Sequence, residues 1–247
     1  MNIIVTQTPV EAGIAGAAVI ADLIRTNRRA VLGLATGSSP LPVYEALEQL
    51  NLDFTQVQGF ALDEYVGLPD GDLRSYATVI RTEVVERLGL RPERVHLPRS
   101  CSAEQDDGAA YETAIARAGG IDLQLLGIGS NGHIGFNEPG SSFDSRTRVL
   151  TLADQTRSDN ARFFDSLEDV PHKAISQGLA TIFEARHLLL IAHGIDKSAA
   201  ISRALRGPIT ESFPASILQR HGSVTIVLDT AAATDLMLRP SGAQGGL

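Results

Sequence analysis

Short apolar runs alternate along this chain with longer stretches in which apolar residues recur every three or four positions. The short runs are rich in β-branched residues and several are bounded by glycine, which is typical of strands buried on both faces of a sheet. Strands are therefore predicted at 3–6, 31–35, 57–63, 123–129, 188–193 and 224–229. Helices are predicted at 10–27, 41–50, 75–88, 103–118 and 195–205, with Pro40 near one start and Gly89 just past one end.

The alternation of strands and helices predicts βαβ units on a mostly parallel sheet. We expect a three-layer α/β fold in which helices cover both faces of the central sheet. With 247 residues, of which 43% are hydrophobic, the chain can bury a full core. No repeat or linker divides it, so residues 1–240 are predicted to form one domain, and the glycine-rich residues 241–247 a flexible tail.

Residues 147–178 depart from this pattern, because nine charged side chains surround only short apolar patches. Two interpretations remain open for this segment. It is either a mobile lid over a binding site or a solvated helical excursion without a role in closure.

Charge, cysteine content and hydrophobicity limit the binding partners and the location that we expect for this protein. The chain has 21 Lys and Arg against 29 Asp and Glu, a net charge of −8, which makes nucleic acid and anionic membranes poor partners. The single cysteine, Cys101, lies in a polar stretch and is interpreted as an ordinary loop residue. The first residues lack a basic region, and the apolar stretch 12–24 is too short to span a bilayer, so we expect a cytoplasmic protein.

The sequence GIGSNGHIGFNEPG, residues 127–140, follows a predicted buried strand. GIGSNG matches the dinucleotide-binding fingerprint G-x-G-x-x-G, but that motif opens a helix, and Gly135, Pro139 and Gly140 forbid one here. The glycines instead suit a loop that approaches a ligand closely. A lone histidine is usually structural, yet His133, with Asn131, Asn137 and Glu138 beside it, is better explained as catalytic.

A second glycine-containing turn, LATGSSP at 34–40, joins a predicted strand to a predicted helix. Backbone amides at a helix start and the hydroxyls of Thr36, Ser38 and Ser39 form an anion site. An ordinary turn with Ser39 as the helix N-cap is equally compatible with the pattern. The turn lacks the lysine of a nucleoside-triphosphate loop.

Acidic and basic residues follow two further strands. FALDEYVGLP at 60–69 brings Asp63 and Glu64 to a strand end, where a carboxylate is either a general base or an ordinary solvated or capping group. No other acidic or histidine cluster has metal-ligand spacing, so a metal is not expected. Lys197 lies on the first turn after a strand, which suits either an anionic ligand or a surface lysine.

Together these motifs resemble the glucosamine-6-phosphate deaminases from about Ile3 to Leu236. The similar blocks are LATGSSP, LDEYVGLP, GSNGHIGFNEPGSSFDSRTR, TRSDNARFF, VPHKAIS and FPAS. The resemblance implies a Rossmann-like sheet of the kind found in ribose-5-phosphate isomerases and CoA transferases. The 6-phosphogluconolactonases share the fold, but FNEP after the histidine points to the deaminases.

The resemblance implies conversion of glucosamine 6-phosphate to fructose 6-phosphate and ammonia, without metal or organic cofactor. Asp63 would abstract the proton from C2. His133 would assist ring opening, held by Asn131 and Glu138, with Glu64 and Gly132 in support. The phosphate would be bound by Thr36, Gly37, Ser38, Ser39, Arg162 and Lys197.

Two departures from the family pattern carry predictions. Some members have aspartate where Asn131 stands, and an amide cannot accept a proton, so Asn131 is expected to orient His133 while the ring depends mainly on Glu138. Regulated members have a basic effector pocket. Ser141, Ser142 and Arg148 match it, but Leu150 replaces a lysine and a carboxyl-terminal extension is missing. We therefore expect no activation by N-acetylglucosamine 6-phosphate, and a monomer or small homo-oligomer.

Two other functions are compatible with the fold. A 6-phosphogluconolactonase would hydrolyse its lactone and release no ammonia. A non-catalytic sugar-phosphate sensor would need a helix-turn-helix module, for which the strand predicted at 3–6 leaves no room.

Overall fold

The computed structural model describes residues 1–99 and 108–238. Seven parallel strands form the central sheet. They are β1 (Asn2–Thr6), β2 (Val31–Leu34), β3 (Gln58–Ala61), β5 (Val95–His96), β6 (Leu123–Leu126), β9 (His187–Ala192) and β10 (Val224–Asp229). Their order across the sheet is β1-β10-β9-β6-β2-β3-β5. Every residue of β2, β6 and β10 is buried, which explains their continuous apolar runs. The predicted parallel sheet is confirmed. The two-residue β5 was missed, because it is too short to produce a pattern.

The described residues contain eight α-helices. They are α1 (Pro9–Thr26), α2 (Leu41–Glu48), α3 (Tyr76–Ile80), α4 (Gly108–Arg117), α5 (Asp154–Asn160), α6 (Leu179–Phe183), α7 (Ser198–Arg206) and α8 (Thr234–Met237). The helix predicted at 75–88 continues beyond α3 as a π-helical segment, Arg81–Glu86, and the one at 195–205 begins with a 3-10 turn, Ile195–Lys197. Gly89 has a φ of +71°, as expected just past a helix end. Short helices α5, α6 and α8 were not predicted.

A second, antiparallel sheet of three strands lies at the carboxyl-terminal side of the main one. It has the order β4-β8-β7, with β4 (Asp63–Tyr65), β7 (Arg148–Thr151) and β8 (Lys173–Ser176). The strand predicted at 57–63 is therefore wrong at its end. The chain leaves the parallel sheet after Ala61, and Asp63 pairs with Ser176 of β8.

This small sheet corrects one interpretation of residues 147–178. Strands β7 and β8 pair near its two ends, with α5 and a 3-10 turn at Ala161–Phe163 between them, so the segment is not simply a helical excursion. A small hydrophobic cluster supports it, formed by Tyr65, Phe136, Leu152 and Ala174. Closure over a site remains a prediction.

The hydrophobic core is continuous around the main sheet and includes residues from all the long helices. Helices α1 and α2 approach closely at Gly13, where an added Cβ would lie 2.5 Å from the carbonyl oxygen of Pro42. No helix in the described ranges is long and apolar enough to cross a membrane. Cys101, the start of the helix predicted at 103–118 and the predicted tail 241–247 lie outside the described residues.

Candidate active site

A cavity of about 490 Å³ opens where β2, β4 and the loop after β6 meet. Eight of the twelve residues proposed from sequence line it: Thr36, Gly37, Ser38, Ser39, Asp63, His133, Arg162 and Lys197. The other four are not among the lining residues: Glu64, Asn131, Gly132 and Glu138. Carboxyl ends of parallel strands in open α/β sheets are where small molecules bind, so the position agrees with the expectation from sequence.

The turn between β2 and α2 forms one end of the cavity. Gly37 has a φ of +95°, a backbone conformation that favours glycine. The phenol of Tyr44 accepts from the Ala35 amide at 3.2 Å and donates to the Ala35 carbonyl at 2.9 Å, which holds the start of the turn. Pro40, not Ser39, occupies the N-cap of α2, so the alternative in which Ser39 caps this helix is wrong. The buried Ser39 instead borders the cavity.

The loop 127–140 contains no helix, which supports the rejection of a dinucleotide fingerprint. Its glycines make room for side chains. A Cβ on Gly129 would lie 2.1 Å from Cε1 of His133, so the imidazole packs directly on this backbone. Gly132 has a φ of +86° and faces the ring of Phe213, which an added Cβ would approach to 2.4 Å.

Asn131 connects His133 to Glu138. Its Nδ2 donates to Oε2 of Glu138 at 2.9 Å, and its Oδ1 accepts from the His133 amide at 3.1 Å and lies 2.8 Å from Nδ1 of the ring. Glu138 itself is 3.8 Å from Nδ1. The expectation that the ring depends mainly on Glu138 is therefore revised. The direct partner is Asn131, and Glu138 acts on the ring through it.

This chain of contacts determines the tautomer of His133. A carboxylate only accepts hydrogen bonds, so the amide must present its nitrogen to Glu138 and its oxygen to the ring. The proton of the neutral imidazole then lies on Nδ1, and Nε2 keeps its lone pair. Burial, and to a lesser degree Lys197, lower the pKa of His133 against the opposing charges of Glu138 and Asp159, which favours the neutral ring.

Asp63 begins β4 and is only 6% exposed. Burial, followed by the neighbouring Glu64 charge, raises the pKa of Asp63 well above its ordinary value. A carboxylate with a raised pKa is a stronger base than an exposed one, which suits proton abstraction.

Glu64, the next residue, has a structural role. Its carboxylate accepts from the backbone amides of Tyr65 at 2.7 Å, Tyr76 at 2.9 Å and Ala77 at 2.6 Å, and so caps the start of α3. Burial raises the pKa of Glu64, although these three donors oppose the shift.

Two cations, Arg162 and Lys197, also line the cavity. Burial first, and then Arg162, lower the pKa of Lys197, whereas Asp159 and Asp196 oppose this. The guanidinium of Arg162 lies 4.8 Å from the ring centre of Phe163. These cations line the same cavity as the turn 36–39, and cations beside backbone amides are typical of sites for anionic groups.

Sequence reasoning missed several residues that line the cavity. They are aromatic or come from the segment that contains α5: Tyr65, Tyr76, Phe136, Asp159, Asn160 and Phe164. Asn160 donates to the phenol of Tyr65 at 2.9 Å across 95 residues, and burial raises the pKa of Tyr65 to about 12. The aromatic residues resemble core positions in the sequence. For Asp159 and Asn160, the block TRSDNARFF was the only indication in the sequence of a role in the site.

Within residues 1–99 and 108–238, no group of three or more His, Cys, Asp or Glu side chains is arranged to hold a metal ion. The expectation of a reaction without metal or organic cofactor stays a prediction.

Comparison with known proteins identifies close relatives. A glucosamine-6-phosphate deaminase of Pseudarthrobacter chlorophenolicus is 56% identical over 223 residues, which cover 89% of this chain and 86% of the relative. One of Rhodococcus opacus is 52% identical over 243 residues, covering 96% and 93%.

Solved structures agree on the fold. A monomeric glucosamine-6-phosphate deaminase matches with a TM-score of 0.90 and 41% identity, over 95% of this chain and 100% of the other. A 6-phosphogluconolactonase from Trypanosoma cruzi matches with a TM-score of 0.76 and 23% identity, over 96% and 97%, and this likeness concerns the fold alone. A family model described as glucosamine-6-phosphate isomerases/6-phosphogluconolactonase matches residues 11–227. The chain therefore belongs to the family of glucosamine-6-phosphate isomerases and 6-phosphogluconolactonases.

Proposed function

We propose that this protein is a glucosamine-6-phosphate deaminase, which converts glucosamine 6-phosphate and water to fructose 6-phosphate and ammonia in amino-sugar catabolism. The observation that carries the proposal is the opening of Asp63 and the neutral His133 onto one cavity, with an anion site at its border. The names and high identities of the relatives in Pseudarthrobacter and Rhodococcus support it.

His133 is assigned to ring opening. This step removes a proton from the C1 hydroxyl and delivers one to the ring oxygen. Since Nδ1–H is directed at Asn131, Nε2 is free to accept the first proton and then to donate the second. Asn131 and Glu138 hold the ring in this tautomer, and Gly132 shapes the loop around it.

Asp63 is assigned to the isomerisation. Its carboxylate removes the C2 proton of the open-chain aldose while O1 takes up a proton from solvent, which gives an enolamine. Asp63 then returns its proton to C1 as the C2 amine becomes an iminium. The iminium adds water at C2 and releases ammonia, and the proton taken from solvent is returned to it. Separate groups for ring opening and for carbon acid chemistry are what this reaction needs, since the two proton transfers occur at different atoms.

The phosphate is assigned to the turn 36–39 together with Arg162 and Lys197. Backbone amides before α2 and two cations compensate a dianion in an otherwise acidic protein. Glu64 supports the site indirectly, because it caps the helix that follows β4.

One assay tests the proposal. Ammonia release is measured with glucosamine 6-phosphate, and lactone hydrolysis with 6-phosphogluconolactone. Ammonia from the first substrate, with no hydrolysis of the second above the buffer rate, is the expected result. Hydrolysis of the lactone without ammonia release would identify a lactonase, and binding of sugar phosphates without turnover would identify a sensor.

We further propose a monomer or a small homo-oligomer, without activation by N-acetylglucosamine 6-phosphate. The similarity to a monomeric deaminase supports the small assembly. The absence of a lysine at Leu150, beside Arg148 in β7, supports the lack of activation. A cytoplasmic location is proposed as well. A single cysteine allows no intrachain disulfide, which suits a reducing compartment.

A further inference from the structure

Asp159, near the end of α5, is a carboxylate in the cavity wall that the proposed reaction does not use. Two donors hold it in place. Ser130 Oγ of the loop 127–140 donates to its Oδ2 at 3.0 Å, and Gln155 Nε2, one helical turn earlier, donates to its Oδ1 at 2.8 Å. Both oxygens are therefore directed by contacts within the protein.

The cations Arg162 and Lys197 line the same cavity as Asp159. The charge of Asp159 supports the protonated form of Lys197, together with that of Asp196, whereas burial and Arg162 oppose it. The same carboxylate favours the charged form of His133. Asp159 thus lies within electrostatic range of both the anion site and the imidazole.

We propose that Asp159 is a positioning residue that acts as a resident counter-anion of Lys197 and so limits how tightly the phosphate end of the substrate is bound. This inference rests on the proposed phosphate site at residues 36–39, Arg162 and Lys197. A dianion bound beside Lys197 and Arg162 is repelled by a carboxylate in the same partly desolvated wall, where charges interact more strongly than in water.

The two tethers make this repulsion effective. A free aspartate side chain would rotate away from an incoming dianion. The hydrogen bonds to Ser130 and Gln155 favour the present orientation, so the repulsion remains when the site fills. Weaker phosphate binding is useful to an enzyme whose substrate and product both carry the phosphate, because it speeds product release.

The experiment compares the intact protein with Asp159→Asn, which keeps the side-chain shape and removes the charge. Inorganic phosphate is used as a competitive inhibitor of glucosamine 6-phosphate turnover across a pH series. At pH 7 the variant is expected to bind phosphate about threefold to tenfold more tightly, with a matching fall in KM.

The alkaline side of the pH series distinguishes charge competition from a structural effect. Without Asp159, the pKa of Lys197 loses support, so phosphate binding should be lost at a lower pH in the variant than in the parent. Asp154→Asn is the matched control, since it removes an exposed carboxylate from the same helix outside the cavity wall, and no change is expected.

An inhibition constant that is unchanged or larger in Asp159→Asn, or an alkaline limit that does not move, overturns the inference. Lys197→Ala separates this from failure of the proposed function. If Lys197→Ala does not weaken phosphate inhibition of the parent, the phosphate site itself is misplaced. If it does, while Asp159→Asn has no effect, only the role of Asp159 is wrong.

Discussion

The side-chain oxygen of Asn131 lies 2.8 Å from Nδ1 of His133 and places the imidazole proton on that nitrogen. The amide achieves this because its nitrogen is committed to Glu138 at 2.9 Å. His133 is thereby available as a base through Nε2 without a carboxylate in direct contact. The arrangement favours a neutral imidazole more strongly than a direct ion pair would.

Asn131→Asp should move the acidic limit of activity upward. A carboxylate next to Nδ1 favours the imidazolium, so the pKa of His133 rises and the neutral base is lost at higher pH. The measurement is kcat/KM against pH, with Asn2→Asp at the exposed end of β1 as the control for added charge. An unchanged acidic limit would mean that His133 does not act as the base.

Asp63→Asn should lower kcat by about a thousandfold, because an amide cannot take the C2 proton. The fold should survive. Burial raises the pKa of Asp63, so ionisation of this side chain destabilises the folded protein as pH rises above the ordinary carboxyl range. The asparagine of the variant cannot ionise, and it removes this destabilisation at neutral pH. The variant should therefore melt at the parent temperature or above it. Near-normal ammonia release would remove Asp63 from the mechanism.

Gly129→Ala should displace His133, because the new Cβ would lie 2.1 Å from the imidazole. We expect a loss of kcat on the order of a hundredfold with little change in the binding of inorganic phosphate, whose proposed site is in another part of the cavity. Gly222→Ala, where nothing lies within 4 Å of the added Cβ, is the matched control. Full activity in Gly129→Ala would show that the ring position is not critical.

Glu64→Ala should lower the stability of the fold more than it lowers the activity. It leaves the amides of Tyr76 and Ala77 without their acceptor at the start of α3, at a cost of about 1–3 kcal/mol. Urea unfolding measures this cost. Activity at low temperature should fall less than in Asp63→Asn. The opposite order would give Glu64, rather than Asp63, the role of base.

Closure of the segment 147–178 should be confined to its middle. Strands β7 and β8 are already paired, so amide exchange there should not respond to ligand. Residues 154–164, which include Asn160 and Arg162, should exchange more slowly when inorganic phosphate is bound. Identical exchange with and without phosphate would make the segment a static wall.

Much of the fold was accessible from local patterns. The strand at 224–229 was predicted with its observed bounds, because a buried parallel strand consists of a continuous apolar run. The end of the strand predicted at 57–63 was not predicted correctly, because β4 is recognised only by its pairing with β8, more than a hundred residues later. The same limit applies to Tyr65, which contacts Asn160 in the fold but resembles an ordinary core residue in the sequence.

By itself, the sequence determined which chemical groups the protein has and that loops after buried strands carry them. Glycine spacing excluded a helix after Gly127, and the motif GHIGFNEPG with DEYVGLP identified the family. Only the tertiary structure decided that Asn131 rather than Glu138 touches the ring of His133, that Glu64 caps a helix, and that Asp159 and Lys197 line one cavity. Hydrophobic periodicity reports burial along one element at a time. The contacts and desolvation that set tautomers and pKa values depend on how separate elements pack together.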